Sequence, residues 1–325
     1  MAIGPRGRMK GLTVAVLGDQ ALAAALGKKG TVSDLSFFNL KRGDDGCTFI
    51  HPSRYPEKFQ SLANALAMAD AAVLVVDKLD RELGETIVAL DAFGIARGFI
   101  ILRNYLSMDQ LRPYVAKTTL EEFRFHDSDS AALTDSIMEL PAAPVDGPAR
   151  VPVDHFFDVK GVGTVALGCV RRGTVRQHDL LEAFPTGKRA TVRSIQVHDE
   201  GVREAPFGAR AGLALKGVGV SDLDRGVVLA PPGSLKVPER LDVPFSAGRY
   251  WKGLVRKELV LHVACGLRIV PARVDSVDGE GLRPGTTGKV GLRFERPLPC
   301  EPGDRLVGLD LDSKGLRIAG HGICP

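Results

Sequence analysis

The residues that could do chemistry narrow the field quickly. The histidines His51, His126, His155, His178, His198, His262 and His321 include no HExxH or similar metal-ligand spacing. The cysteines Cys47, Cys169, Cys265, Cys300 and Cys324 are scattered and form no CxxC pair. Neither a zinc site nor a disulfide framework is suggested, and reduced thiols are the simplest reading. There is no GxSxG elbow. Asp44-Asp45 and Glu121-Glu122 read as solvated turn or surface charge. No metal and no cofactor is expected. Cations remain. Arg193, His198, Arg203 and Arg210 put positive or switchable charge in one stretch. Arg249-Tyr250-Trp251-Lys252 sets the single tryptophan between cations. That mix could stack on bases, although a core or domain-interface place for Trp251 is an equal alternative.

Elements must position these groups. The chain has 325 residues, is 44% hydrophobic and 25% charged, and is long enough for two or three domains with real cores. Its net charge is +4, mildly basic, which permits a nucleic-acid partner without demanding one. No apolar run approaches the roughly 20 residues of a membrane-spanning helix. The basic, glycine-rich start, 1–10, has no apolar region after it, so no signal peptide is expected. In the first part, strands and helices alternate. Strands are expected at Leu12–Leu17, Thr31–Leu40, Cys47–Ile50, Ala71–Val76, Phe99–Leu102 and Leu120–Phe125. Helices are expected at Ala21–Leu26, closed by Gly27, and at Pro56–Met68, Glu82–Phe93, Met108–Val115 and Ala131–Leu140. This pattern means a mostly parallel α/β sheet with helices on both faces. Pro141-Ala142-Ala143-Pro144-Val145-Asp146-Gly147-Pro148 is a linker by composition. After it come only short β-rich runs with Gly and Asp turns, and a second linker at Ala230-Pro231-Pro232-Gly233-Ser234. Two all-β barrels are expected. The divisions are 1–145, 146–234 and 235–325.

Val153 to Lys188, VDHFFDVKGVGTVALGCVRRGTVRQHDLLEAFPTGK, carries an F-x-V-x-G-x-G-T-V-x-x-G-x-V-x-x-G run. Thr191 to Leu235 carries V-R-S-I-Q, A-x-x-G-x-R-x-G-L-x-L-x-G and R-G-x-V-L runs. Gly161, Gly163, Gly168 and Gly173 stand where a small barrel turns corners or lets backbones approach. Over Val151–Pro232 the whole set resembles the second domain of elongation factor Tu and, more closely, that of the selenocysteine-specific elongation factor. The third part is less distinctive. Pro302-Gly303-Asp304-Arg305-Leu306 and Leu316 to Gly322 resemble a hairpin and the closing strand of that family's third domain.

The resemblance implies that the first domain is a G domain, so each nucleotide motif can be tested by its chemistry. A P-loop, GxxxxGK[ST], wraps phosphate with backbone N–H groups, a lysine and a hydroxyl. Here Gly18-Asp19-Gln20 leads directly into an alanine-rich helix, and Lys28-Lys29 comes at the wrong spacing. Asp19 puts negative charge where the β-phosphate belongs. Lys28 and Lys29 read either as a solvated turn or as a basic loop that touches RNA phosphate. Counting back from Asp70–Asp77, the D-x-P-G-H motif falls on His51-Pro52-Ser53-Arg54-Tyr55. His51 stands for the magnesium-side aspartate, Arg54 for the glycine that senses the γ-phosphate, and Tyr55 for the histidine that positions water. At the guanine motif the chain has Arg103-Asn104-Tyr105-Leu106-Ser107. Asn104 survives, while the lysine and aspartate do not. A switch I segment is absent too. The expectation is a degenerate G domain that binds no nucleotide and catalyses nothing.

In the family the second domain receives the aminoacyl and 5′ ends of tRNA and the third receives the T stem. Arg225 matches the arginine that contacts the tRNA 5′ end, with a turn-capping surface role as its alternative. The RNA-binding candidates are Arg225, Arg193, His198, Arg210, Arg317, Lys28 and Lys29. The expected function is that of a non-catalytic, elongation-factor-like protein acting on tRNA, rRNA or the ribosome. It would be monomeric and cytoplasmic, with no membrane or DNA partner. The alternatives are a divergent nucleotide-dependent factor that delivers aminoacyl-tRNA, or a protein-interaction scaffold. Without a nucleotide trigger, one fixed domain arrangement is expected, with an apolar surface of the first domain docked on a barrel.

Overall fold

A computed structural model describes residues 11–43, 45–127, 129–141 and 143–325. The basic start, Asp44 of the Asp44-Asp45 pair and Ala142 of the first linker lie outside the described residues.

The first domain is built from β1 (Gly11–Leu17), α1 (Gln20–Leu26), β2 (Lys28–Val32), β3 (Ser36–Arg42), β4 (Asp45–His51), α2 (Phe59–Met68), β5 (Ala71–Val76), α3 (Arg81–Phe93), β6 (Gly98–Leu102), α4 (Met108–Val115), β7 (Arg124–Phe125) and α5 (Ser130–Met138). The strands form one sheet in the order β2-β3-β4-β1-β5-β6-β7. From β4 to β7 neighbours run parallel, while β2, β3 and β4 are antiparallel. β1 and β5 are buried along their whole length, as the central strands of a sheet covered on both faces must be. Helix α3 starts on Asp80, whose carboxylate accepts from Leu83 N, and ends on Gly94 in the left-handed region.

Two expected strands changed. Thr31–Leu40 is not continuous: Ser33 and Asp34 turn the chain between β2 and β3, with Ser33 N donating to Leu35 O at 2.8 Å. Ser and Asp favour such turns because their side chains bond the local backbone. Leu120–Phe125 is a short 3-10 turn, Thr119–Glu122, followed by the two residues of β7. Gly27 does not close α1 in a left-handed turn. Its backbone is extended, because β2 begins at the next residue. Lys28 and Lys29 therefore lie on the open edge strand of the sheet, not in a turn.

The second unit holds β8 (Val151–Val159), β9 (Gly163–Cys169), β10 (Thr174–Arg176), β11 (Leu180–Phe184), β12 (Lys188–Val197), β13 (Glu200–Val202), β14 (Glu204–Pro206), β15 (Arg210–Lys216) and β16 (Val228–Ala230). The order β11-β16-β8-β9-β15-β12 closes through the β11–β12 pairing. β13 extends it beyond β12, and β10 pairs with β14 beside it. Gly168 is needed at the β8–β9 crossing, where a Cβ would lie 2.2 Å from the Pro152 carbonyl oxygen. The third unit is a closed six-stranded barrel of β17 (Arg240–Ala247), β18 (Val260–Cys265), β19 (Arg268–Val277), β20 (Thr287–Phe294), β21 (Arg305–Leu309) and β22 (Ile318–Ile323).

The three units pack on one another. Leu83, Ile87 and Leu90 of α3 share a hydrophobic core with Ala264, Val307, Leu309 and Ile318 of the third barrel. Arg317 donates from Nε to Glu85 Oε1 at 3.0 Å across that contact. Between the barrels, Arg150 holds Asp304 with two parallel bonds of 2.7 and 2.8 Å. Between the first domain and the second unit, Arg171 pairs with Asp70 at 2.8 Å. The backbones of Gly11 and Gly208 also touch there: a Cβ on Gly208 would lie 2.1 Å from Gly11 O. An apolar first-domain surface docked on a barrel is thus what the fold contains.

Candidate nucleic-acid interface

At the carboxyl ends of β1, β4 and β5, where an α/β sheet presents its ligand site, the chain turns in on itself. Gly18 must be glycine, since φ is +89° and a Cβ would lie 2.3 Å from Val75 O. Asp19 follows. Its Oδ1 accepts from Ala21 N at 2.7 Å and from Leu22 N at 3.1 Å. Its Oδ2 pairs with Arg103 at 2.6 Å. Burial alone would raise this carboxyl, but the Leu22 N–H, Arg103 and the Ala21 N–H outweigh it and hold it below the usual carboxylate range. His51 Nδ1 lies 2.9 Å from the Val16 carbonyl, so that nitrogen carries the proton. Burial keeps this imidazole below its ordinary pKa. Arg54 is exposed. Tyr55 is partly buried and donates from its hydroxyl to Glu82 O at 3.0 Å; burial pushes its phenol up. Asn104 donates to Asp77 O at 3.0 Å from a left-handed backbone, φ 53°. Gly18, His51 and Tyr55 line a cavity of about 260 Å³, together with Asp77, Lys78 and Glu82.

A larger cavity, about 890 Å³, opens between β2–β3 and the barrel wall made by β8, β9, β12 and β15. Its first-domain side carries Lys28, Lys29 and Lys41. Lys41 pairs with Glu200 at 2.6 Å, whereas Lys28 and Lys29 are exposed and form no ion pair among the described residues. Its barrel side carries Phe157, Val162 and Leu167 beside Gln196, His198 and Arg210. Phe157 is 43% exposed, a large aromatic face turned outward from a barrel strand. His198 packs over Gly46, where a Cβ would lie 2.3 Å from its Nε2. Burial, and then Lys41, hold His198 below its ordinary pKa.

The floor is ordered by a carboxylate. Asp154 is 1% exposed, accepts from Arg210 Nη2 at 2.7 Å and lies 2.7 Å from His155 Nδ1. Arg210 also stacks on the Phe37 ring, 4.0 Å from its centroid. Beside it, Arg225 donates from Nε to the Asp154 carbonyl at 3.2 Å and from Nη1 to Asp34 at 2.7 Å. Burial would raise the Asp34 carboxyl, but Arg225 and then the Ser33 hydroxyl win and hold it below the usual range.

Lys28, Lys29, His198 and Arg210 thus line one cavity. Arg193 reaches its edge by donating to Val162 O at 3.1 Å, and Arg225 lies next to it through Asp154. Arg317 is not part of this face; it is held at the contact between the first domain and third barrel by Glu85 and by Pro56 O. Trp251 is 3% exposed, packs in the third barrel core and donates to Asp310 at 3.0 Å, so stacking on bases is ruled out for it. Sequence reasoning missed Asp34, Asp154 and Phe157. The only signals were a carboxylate and an adjacent aromatic pair within a strand of otherwise alternating character. Among the described residues no group of three or more His, Cys, Asp or Glu is placed to hold a metal ion, and no helix is long and apolar enough to cross a membrane.

Comparison with known proteins agrees with this layout. Residues 163–230 match the family model of elongation factor Tu domain 2. An uncharacterized protein of Methanocaldococcus jannaschii is 35% identical over 316 residues, covering 97% of this chain and 99% of its own. The selenocysteine-specific elongation factor of the same organism is 25% identical over 336 residues, covering 91% of this chain and 71% of its own. The crystal structure of translation elongation factor SelB from Methanococcus maripaludis, in complex with the GTP analogue GPPNHP, superposes with a TM-score of 0.81 at 22% identity, over 98% of this chain and 80% of that one. With an α/β domain followed by two β-barrels and this set of relatives, the chain belongs to the translational GTPase family of elongation factor Tu and the selenocysteine-specific elongation factor.

Proposed function

We propose that this chain works in translation as a non-catalytic binder of tRNA or the ribosome, with a first domain that neither holds nor hydrolyses GTP. The observation that carries the reading is the contrast between its two cavities. At the nucleotide end, the N–H groups at the start of α1 are taken by the chain's own carboxylate, Asp19, and Arg103 compensates its charge. A phosphate brought there would meet a fixed negative charge in place of free donors, and His51 gives magnesium no carboxylate. Magnesium-bound GTP does not fit these residues.

At the barrel end the opposite holds. Lys28 and Lys29 offer ammonium groups that form no ion pair among the described residues, and Phe157 an exposed aromatic face, around a cavity of about 890 Å³. Point charges for phosphate beside a stacking platform are the means by which single-stranded nucleic-acid ends are held. The test is retention of tRNA and of ribosomes by the full chain across a potassium chloride series. Binding that falls steeply with salt supports the reading, because each neutralised phosphate releases counterions. Isothermal titration with GTP, GDP and ATP plus magnesium should give no saturable heat. Saturable heat would favour the alternative of a divergent nucleotide-dependent factor.

A further inference from the structure

We infer that Asp34 is a built-in competitor for RNA phosphate on Arg225, so that the tip of the β2–β3 hairpin guards the seat an RNA would use. The inference rests on the RNA-binding reading above. Four observations lead to it. First, Arg225 is fixed from behind by its own barrel. Its Nε is held by the Asp154 carbonyl at 3.2 Å, which leaves the outer edge of the guanidinium for an anion. Second, that edge is filled from another domain. Asp34 Oδ2 sits 2.7 Å from Nη1, and Ser33 Oγ lies 3.5 Å from Nη2. The carboxylate holds this edge by one charged bond, at a donor that would serve a phosphate oxygen equally well.

Third, the tip does not depend on this carboxylate for its place. Leu35 is fully buried, Ser61 Oγ donates to the Asp34 carbonyl at 2.6 Å, and Ser33 N donates to Leu35 O at 2.8 Å. The Asp34 side chain can turn away while the backbone stays. Fourth, the pair is only half-buried: its side chains are 26% and 22% exposed. Arg210 differs, because its partner Asp154 is sealed at 0% side-chain exposure. A pair that water reaches is screened and exchanges more readily than a sealed one, so Arg225 is the exchangeable cation of this face and Arg210 is not. An RNA that lays one phosphate on Arg225 and others on Lys28 and Lys29 of the same hairpin displaces Asp34. An anion that reaches only one of them does not.

The test measures bulk tRNA binding by fluorescence anisotropy in a potassium chloride series, with wild type, Asp34→Asn, Asp34→Glu, Arg225→Gln and the Asp34→Asn/Arg225→Gln double variant. Removing the competing charge should tighten binding about threefold to tenfold at low salt and steepen the salt slope by about one. Asp34→Glu, which keeps the charge, should give no gain. Arg225→Gln should weaken binding, and adding Asp34→Asn to it should restore nothing. A well-folded Asp34→Asn protein that binds tRNA no more tightly than a binding-competent wild type overturns the inference and leaves the RNA reading intact. The same result with Asp34→Ser serves if the asparagine variant does not fold. No tRNA bound by either wild type or Asp34→Asn overturns both.

Discussion

Asp19 shows how one residue can close a helix start. A helix start has amide donors with no partner inside the helix, and these are the donors a phosphate would need. Here Asp19 satisfies two of them, and Arg103 balances its charge. The substitution Asp19→Ala removes both cap bonds and strands Arg103. It should cost about 1 to 2 kcal/mol in urea unfolding, without creating GTP binding. The partly buried histidines act at the same scale. Burial holds His51, His198 and His321 below the ordinary imidazole value. Their unfolded forms take up protons more readily than their folded forms. Stability is therefore fully present above the unfolded pKa near 6.5 and is lost as pH falls through it. The melting temperature should drop from pH 7 to pH 5, and a His51→Gln/His198→Gln/His321→Gln protein should show a smaller drop.

At the scale of elements, α3 and the β2–β3 hairpin do the joining. Helix α3 buries its apolar stripe against the third barrel, and Glu85, 3% exposed, meets Arg317 there. Arg317→Met leaves that carboxylate buried without its partner. Breaking a buried pair in this way costs about 3 to 5 kcal/mol, so thermal unfolding should shift down strongly. Glu85→Gln/Arg317→Met should recover part of the loss. Much of this level was legible in the sequence. Leu83, Ile87 and Leu90 have helical spacing, Ala71–Val76 has the length of a buried strand, and the glycines of 161–173 marked barrel corners. The turn at Ser33-Asp34 was not, because the apolar residues on both sides mimic one long strand.

The interdomain pairs were not legible either. Asp34 and Arg225 are 191 residues apart, and Glu85 and Arg317 are 232 apart. Neither periodicity nor motif spacing links such positions. Only the folded arrangement shows that Arg317 is a clamp between domains, or that Arg225 already holds a carboxylate. The reverse is true of the nucleotide motifs. His51, Arg54, Tyr55 and Arg103 could be placed from the sequence at the ends of their strands, because such places are set locally.

For the whole molecule, every pair of units is tied. Arg171 and Asp70 join the first domain to the second unit, Arg150 and Asp304 join the barrels, and Arg317 and Glu85 join the third barrel to the first domain. On the proposed reading, in which Asp19 occupies donors that a phosphate would need, the chain should hold one domain arrangement throughout. It should then bind RNA without timing. The most direct measurement is bulk tRNA binding to the full chain over a potassium chloride series, with and without saturating GTP and magnesium. We predict a salt-steep binding curve that is the same in both conditions. A curve that GTP shifts, or the absence of any salt-sensitive binding, would contradict the account.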